Sequence, residues 1–149
     1  MTASLYSRDI LRLAASIPHL GRLHRPDASA EKNSTVCGSR VVVDVVLDKD
    51  GRVAGLGQEV RACALGQASA SLMAAEAIGR TLDELTSARD ALAAYLAGTS
   101  DALDFWPGMA VFRDARSYSA RHASIRLAFE AAAEAAASAL AARQTRRAG

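Results

Sequence analysis

The sequence predicts an α+β protein in which a small antiparallel sheet precedes several packed helices. Residues 40–47 and 53–61 have the β-branched, alternating pattern of two strands, and a turn at residues 48–51 joins them as a hairpin. After Cys63 the apolar period becomes that of helices. Because strands come first and helices follow, the α+β class is favoured over an alternating α/β arrangement.

The chain ahead of the hairpin is expected to hold one helix and little regular strand. Residues 6–17 place apolar side chains near helical spacing, with Ser7 as the N-cap and Pro18 as the end. Residues 20–27 are expected to hold a short edge strand, and the small, polar residues 28–35 to form a loop.

Three helices are predicted after the hairpin. Residues 65–80 are rich in alanine, and residues 81–96 begin with the capping box Thr-Leu-Asp-Glu. A looser stretch at 99–119 leads to an alanine-rich helix at 124–143. Residues 138–149 are expected to be a basic C-terminal tail.

Length and composition indicate a single domain, residues 1–149, of which half is apolar and 23% is charged. A net charge of +2 and 5% aromatic residues give no nucleic-acid surface, and no glycine-rich phosphate loop is present. The N-terminus lacks the apolar core of a signal peptide, and no apolar run approaches the about 20 residues that span a bilayer. We therefore expect a cytoplasmic protein with reduced thiols.

Two cysteines are the main candidates for chemistry. Cys37 precedes Gly38 just before the central strand, and Cys63 lies where the second strand passes into a helix. A thiol at a helix N-terminus faces free N–H groups, which favour the thiolate, and Gly38 and Gly66 would let the backbone approach a bound group. Both cysteines can equally be small buried hydrophobic residues, and their separation of 26 residues matches no compact metal motif.

Other polar residues carry weaker signals. Ser69 and Ser71 are best explained as small residues of a closely packed helix, because no nucleophile elbow surrounds them. His122 precedes the last helix, where a histidine is more often a surface residue than a ligand. Since no acid–base pair is visible, a turnover enzyme is not expected.

Four segments together carry a family resemblance. Residues 34–44 (STVCGSRVVVD) open a strand after Cys-Gly, residues 60–73 (VRACALGQASASLM) place a cysteine before a serine-rich helix, and residues 117–121 (SYSAR) and 127–129 (LAF) follow. This pattern resembles the U-type iron–sulfur cluster assembly scaffolds, the family of IscU, SufU and the N-terminal domain of NifU. The resemblance covers residues 6–137, and the long interval between Cys63 and the segments at residues 117–129 resembles the insertion of the SufU branch.

The resemblance implies a three-stranded antiparallel sheet with helices packed on it and a site at one end that holds three cysteines and an aspartate. Such a site receives sulfur from a cysteine desulfurase and assembles a 2Fe–2S cluster, or in the SufU branch binds zinc and accepts persulfide sulfur. The expected partners are therefore a cysteine desulfurase and other cluster-assembly proteins.

Carried over position by position, Cys37 and Cys63 match two of the ligand cysteines and become the candidate sulfur acceptors. Ser39 stands at the aspartate position. The third cysteine position falls on Ser124, or on Ala123 if a neighbouring histidine sets the register, and neither is a cysteine.

The departures leave several readings open. If His122 turns inward, it makes three metal ligands together with Cys37 and Cys63, whereas zinc and iron–sulfur clusters use about four. The sequence predicts a divergent scaffold or sulfur acceptor with weak or substoichiometric zinc or iron. The alternatives are a metal-free adaptor that keeps the desulfurase-binding surface, a cluster shared by two chains, and a binding domain of unrelated function on the same fold.

Overall fold

Three strands and four α-helices make up the part of the chain that the structure describes, which is residues 5–148 of a computed structural model. The order is α1 (Arg8–Ala15), β1 (Ala28–Asn33), β2 (Arg40–Leu47), β3 (Val53–Arg61), α2 (Ala64–Ala77), α3 (Leu82–Ala97) and α4 (His122–Ala148). Three short 3-10 helices lie between α3 and α4, at Met109–Phe112, Asp114–Ser117 and Ser119–Arg121. Residues 1–4 and Gly149, the ends of the predicted single domain, lie outside the described residues.

The sheet is antiparallel in the order β1-β2-β3, so the predicted α+β class and the three-stranded sheet are confirmed. Val41, Val43 and Val45 of the central strand are fully buried on one face, as the alternation predicts. Helix α4 packs across β1 and β2 on this face, and α2 and α3 pack against α4. The core therefore lies between the sheet and a layer of helices.

Strand β1 corrects the sequence prediction, which placed a loop at residues 28–35 and a strand at 20–27. The small polar residues of β1 have weak strand propensity, but the strand pairs with β2 along its whole length and buries Ala30 against the core. Residues 20 and 21 form only isolated bridges to Gln58. Pairing with a strong neighbouring strand has overridden local propensity here.

The segment between α1 and β1 covers the opposite face of the sheet through a buried carboxylate. Asp44 of β2 accepts hydrogen bonds from Arg22 Nε at 2.8 Å, Arg22 Nη2 at 3.0 Å and the Leu23 N–H at 2.9 Å, and also from the Ser29 hydroxyl. Burial raises the pKa of Asp44, but these hydrogen bonds and the charge of Arg22 outweigh it and hold the pKa below its usual range. The side chain is therefore a charged anchor for this segment.

The helix ends follow the sequence signals closely. Ser7 caps α1, and Thr81 and Glu84 form the capping box of α3 as predicted. Helix α4 begins two residues earlier than expected and continues through the basic residues to Ala148. Within this basic part of the helix, Arg143 donates hydrogen bonds to main-chain carbonyls of the β2–β3 hairpin. Among the helices of residues 5–148, none has the length and hydropathy needed to cross a bilayer.

Candidate functional site

Four sequence-predicted site residues come together at one end of the sheet. The turn between β1 and β2 carries Cys37 and Ser39, the junction of β3 and α2 carries Cys63, and the first turn of α4 carries Ser124. Because the strands are antiparallel, the end of β1, the start of β2 and the end of β3 lie at the same end of the sheet. We call this cluster of Cys37, Ser39, Cys63 and Ser124 the thiol pocket.

Two serine hydroxyls connect the two thiols of the pocket. Cys37 Sγ lies 3.1 Å from Ser39 Oγ, Ser39 Oγ lies 3.2 Å from Ser124 Oγ, and Ser124 Oγ lies 3.5 Å from Cys63 Sγ. The serines are buried, with relative exposures of 3% and 0%, whereas Cys37 is exposed and Cys63 is half-buried. The result is a continuous chain of hydrogen-bonding groups that opens to solvent at Cys37.

A tight turn holds Cys37 at the mouth of the pocket. The Gly38 N–H donates to the Ser34 carbonyl at 2.9 Å, and the Ser34 N–H donates to the Ser39 carbonyl at 2.9 Å. Gly38 has φ +69°, which favours glycine, while a Cβ there would meet nothing within 4 Å. Glycine is therefore required here by the backbone conformation of the turn, and the expected approach of a bound group at Gly38 stays a prediction.

The surroundings of Cys37 favour its ionised form. Hydrogen bonds with the Ser34 and Ser39 hydroxyls, with smaller contributions from the Ser39 N–H and the Ser124 hydroxyl, outweigh burial and lower the pKa of Cys37 from 9.0 to about 7. The thiolate of Cys37, which is the nucleophilic form, is therefore more readily formed near neutral pH than that of an ordinary cysteine.

Cys63 lies deeper, at the N-terminus of α2. It is the N-cap residue, but its side chain makes no capping hydrogen bond, and its partner is Ser124. Gly66, one turn along α2, makes this contact possible, because a Cβ there would lie 2.5 Å from Ser124 Oγ and 2.6 Å from the Ala62 Cβ. The close contact at Gly66 is thus made by Ser124 of the protein itself, and the expected approach of a bound group at Gly66 stays a prediction.

His122 is not brought into the thiol pocket. Its Nε2 lies 3.1 Å from the Ala115 carbonyl oxygen and 3.0 Å from that of Arg116, so the ring is directed toward the 3-10 helix Asp114–Ser117. Of the two registers that the sequence left open for the third cysteine position, Ser124 rather than Ala123 contacts the thiols.

The donor atoms of the pocket do not fit a closed zinc or iron–sulfur site. Both ligand sets use about four thiolate, imidazole or carboxylate groups, whereas the pocket offers two thiols and two neutral hydroxyls that bond to each other. Within residues 5–148, no three His, Cys, Asp or Glu side chains are grouped as a metal site would require. The chemistry that these groups support is that of a nucleophilic thiol.

Ser34 was not singled out from the sequence as a residue of the site, and Gly66 was singled out only for the approach of a bound group. The Ser34 hydroxyl lies 3.4 Å from Cys37 Sγ and lowers its pKa, and Gly66 admits Ser124 to the pocket. A serine three residues before a cysteine in a Gly-containing turn is the only local signal for Ser34. The role of Gly66 depends on the packing of α2 against α4, which no local signal gives.

A three-stranded sheet with helices on one face and two linked thiols at its end is the architecture of a U-type scaffold. The family model for the NifU-like N terminal domain matches residues 5–105. The crystal structure of a nitrogen-fixing NifU-like protein (N-terminal) from Brucella abortus has 41% sequence identity and a TM-score of 0.87, covering 93% of this chain and 96% of that one. The chain therefore belongs to the NifU-like N-terminal domain family. The predicted resemblance to the U-type scaffolds is confirmed at the level of the family, and the assignment to the SufU branch stays a prediction.

Two other crystal structures are similar at lower identity and show the fold alone. One is a proposed iron–sulfur cluster assembly scaffold protein for the SUF system of the thermophile Fervidobacterium islandicum AW-1, with 20% identity and a TM-score of 0.82 over 89% of this chain and 96% of that one. The other is a hypothetical protein with 22% identity and a TM-score of 0.77 over 89% and 97%. A search of curated proteins gave no match in sequence.

Proposed function

We propose that this protein accepts sulfur from a cysteine desulfurase during iron–sulfur cluster assembly and that Cys37 is the acceptor. The observation that carries this proposal is an exposed thiol at the mouth of the pocket in contact with two hydroxyl groups, and these contacts lower its pKa to about 7. Membership of the NifU-like N-terminal domain family supports the same role. The proposed location is the cytoplasm, where a reactive thiol stays reduced. The proposed partners, besides the desulfurase, are other cluster-assembly proteins.

The proposed transfer is a thiol–persulfide exchange that needs no added oxidant. The Cys37 thiolate attacks the terminal sulfur of a persulfide on the desulfurase cysteine, and the sulfur–sulfur bond of that persulfide breaks. The desulfurase cysteine leaves as a thiolate, and Cys37 becomes a persulfide. Exposure of Cys37 suits this reaction, because the attacking sulfur must reach a second protein.

Cys63 is the less suitable acceptor of the two. It is half-buried and lies behind the Ser39–Ser124 hydroxyl pair, so an incoming persulfide meets Cys37 first. We propose that Cys63 orders the pocket through Ser124, and that it does not receive sulfur directly from the partner.

The test is to incubate the reduced protein with a purified cysteine desulfurase and L-cysteine and to map added sulfur by mass spectrometry. We expect one additional sulfur atom on the peptide that contains Cys37, its loss in Cys37→Ser, and its retention in the matched variant Cys63→Ser. Sulfur found on Cys63 in the wild-type protein, or undiminished labelling of Cys37→Ser, would contradict the assignment.

A second candidate function is that of a metal-free adaptor that binds the desulfurase without accepting sulfur. The observation that favours it is the donor set of the pocket, in which serines stand at the aspartate and third cysteine positions. Binding of Cys37→Ser to the desulfurase with unchanged affinity, together with no sulfur on the wild-type chain, would identify this function instead.

A further inference from the structure

Successive side chains of the thiol pocket have nearly the spacing of neighbouring ligands in a tetrahedral metal site, but the pocket lacks the donor atoms of such a site. Successive side-chain heads along the pocket are separated by 3.1, 3.2 and 3.5 Å. Around tetrahedral zinc, bond lengths of about 2.0 Å to oxygen and 2.3 Å to sulfur place neighbouring ligand atoms about 3.3–3.8 Å apart. Each successive pair of side chains along the pocket therefore has nearly the separation of two neighbouring ligands of one zinc ion.

Ser39 and Ser124 oppose metal binding in this pocket in two ways. A neutral hydroxyl is not among the ligands that zinc uses in proteins, and ionising it near neutral pH is costly. The Ser39 and Ser124 hydroxyls also bond to each other and to the two thiols, and a bound ion would have to break these hydrogen bonds. Both effects oppose metal binding by Cys37 and Cys63.

The packing around the serine pair allows a conservative change of donor. Cysteine differs from serine only in its terminal atom, so Ser39→Cys and Ser124→Cys would place sulfur where the two hydroxyls now lie. Ser124 Oγ occupies the volume that a side chain at residue 66 would fill, and glycine at that position keeps this volume available.

We infer that Ser39 and Ser124 keep the two thiols of this protein free of zinc, and that replacing both serines by cysteine is sufficient to create a four-thiolate zinc site in the same pocket. The inference goes beyond the proposed function, because it concerns the metal affinity of the pocket whether or not Cys37 accepts sulfur.

The experiment is a zinc titration of the reduced, chelator-treated full chain against a chromophoric chelator. We expect substoichiometric zinc in the wild-type protein and one tightly bound zinc per chain in Ser39→Cys/Ser124→Cys. A single outer-shell partner of a metal ligand changes affinity about 10- to 100-fold, so two direct ligands should tighten binding by at least about 10²-fold.

Ser69→Cys/Ser71→Cys is the matched control. Ser69 and Ser71 are as buried as the pocket serines, but their hydroxyls donate to the main-chain carbonyls of Ile125 and Ser16 and not to a thiol. This control adds the same two thiols outside the pocket and should bind zinc no more tightly than the wild-type chain. Adding Cys63→Ser to the pocket variant should return its affinity toward the wild-type value.

The effect of the substitutions on folding can be separated from their effect on zinc affinity. Circular dichroism of the metal-free variants establishes that they are folded, and if the double variant is not, Ser124→Cys alone should still bind zinc at least about tenfold more tightly than the wild-type chain. One tightly bound zinc per wild-type chain, lost in Cys37→Ser, would overturn the inference. Folded pocket variants that bind zinc no better than the control would overturn it as well. Because no desulfurase is present, these results are independent of sulfur transfer.

Discussion

Removal of the Ser39 hydroxyl should make Cys37 a weaker acid. Ser39 Oγ lies 3.1 Å from Cys37 Sγ, and its hydrogen bond is one of the main causes of the lowered pKa of Cys37. A hydrogen bond to a charged group contributes about 1.5–3 kcal/mol, and 1.36 kcal/mol corresponds to about one pH unit. Since Cys37 is exposed and the Ser34 hydroxyl remains, we take the low end and expect Ser39→Ala to raise the pKa of Cys37 from about 7 to about 8.

The pH dependence of alkylation measures this change directly. At pH 7 the thiolate fraction of Cys37 should fall from about one half to about one tenth, so that its rate of reaction with iodoacetamide falls about fivefold. Above about pH 10 the wild-type and variant rates should converge, because Cys37 is ionised in both proteins. Mass spectrometry of the separate peptides distinguishes Cys37 from Cys63, and Ser138→Ala on the exposed face of α4 is the matched control.

Two results would refute this reasoning. A wild-type midpoint near 9 would mean that the hydroxyls around Cys37 do not stabilise its thiolate. A midpoint that stays near 7 in Ser39→Ala would mean that another group lowers the pKa, and the Ser39–Ser124 pair would then have no part in activating Cys37.

Three further changes test the packing that positions the pocket, each by urea unfolding. Asp44→Asn should cost about 2 kcal/mol at pH 7, at the low side for a buried pair because Arg22 is half-exposed. This loss should shrink as the pH falls below about 3.8, because the unfolded carboxylate then takes up a proton while the native one, with its lowered pKa, stays charged. Gly66→Ala should cost about 1–3 kcal/mol, since its clash with Ser124 outweighs the about 1 kcal/mol gain in helix propensity, and an unchanged midpoint would contradict the close contact. Thr81→Ala should cost about 1 kcal/mol through loss of the capping box, with no effect on Cys37 alkylation.

The sequence predicted the elements whose signals are local. The hairpin of β2 and β3 follows from β-branched alternation around a Gly-containing turn, and the capping box marks the start of α3 to the residue. Strand β1 has no such signal, because its small polar residues are held by main-chain bonds to β2 and by the burial of Ala30. Its formation depends on a partner strand that propensity does not consider.

The residues of the site were predictable only in part. Family resemblance identified Ser39 and Ser124 as occupants of ligand positions, but these two residues are 85 positions apart, and their contact depends on how α4 packs across the sheet. The roles of Ser34 and Gly66 likewise depend on the shape of a turn and on helix packing. These contacts depend on the folded structure, and no local sequence signal establishes them.

Helix geometry explains why Ser124, and not His122, reaches the thiols. Successive residues of an α-helix are rotated by about 100° around its axis, so that a residue two positions earlier lies about 200° away, on nearly the opposite side. With Ser124 directed into the thiol pocket, His122 must point away from it, and its Nε2 binds the Ala115 and Arg116 carbonyls. A turn of α4 that brought His122 to the thiols would remove Ser124 from between them. The hydrogen-bonded serine pair and a histidine metal ligand are therefore mutually exclusive arrangements of this helix, and the structure has the first.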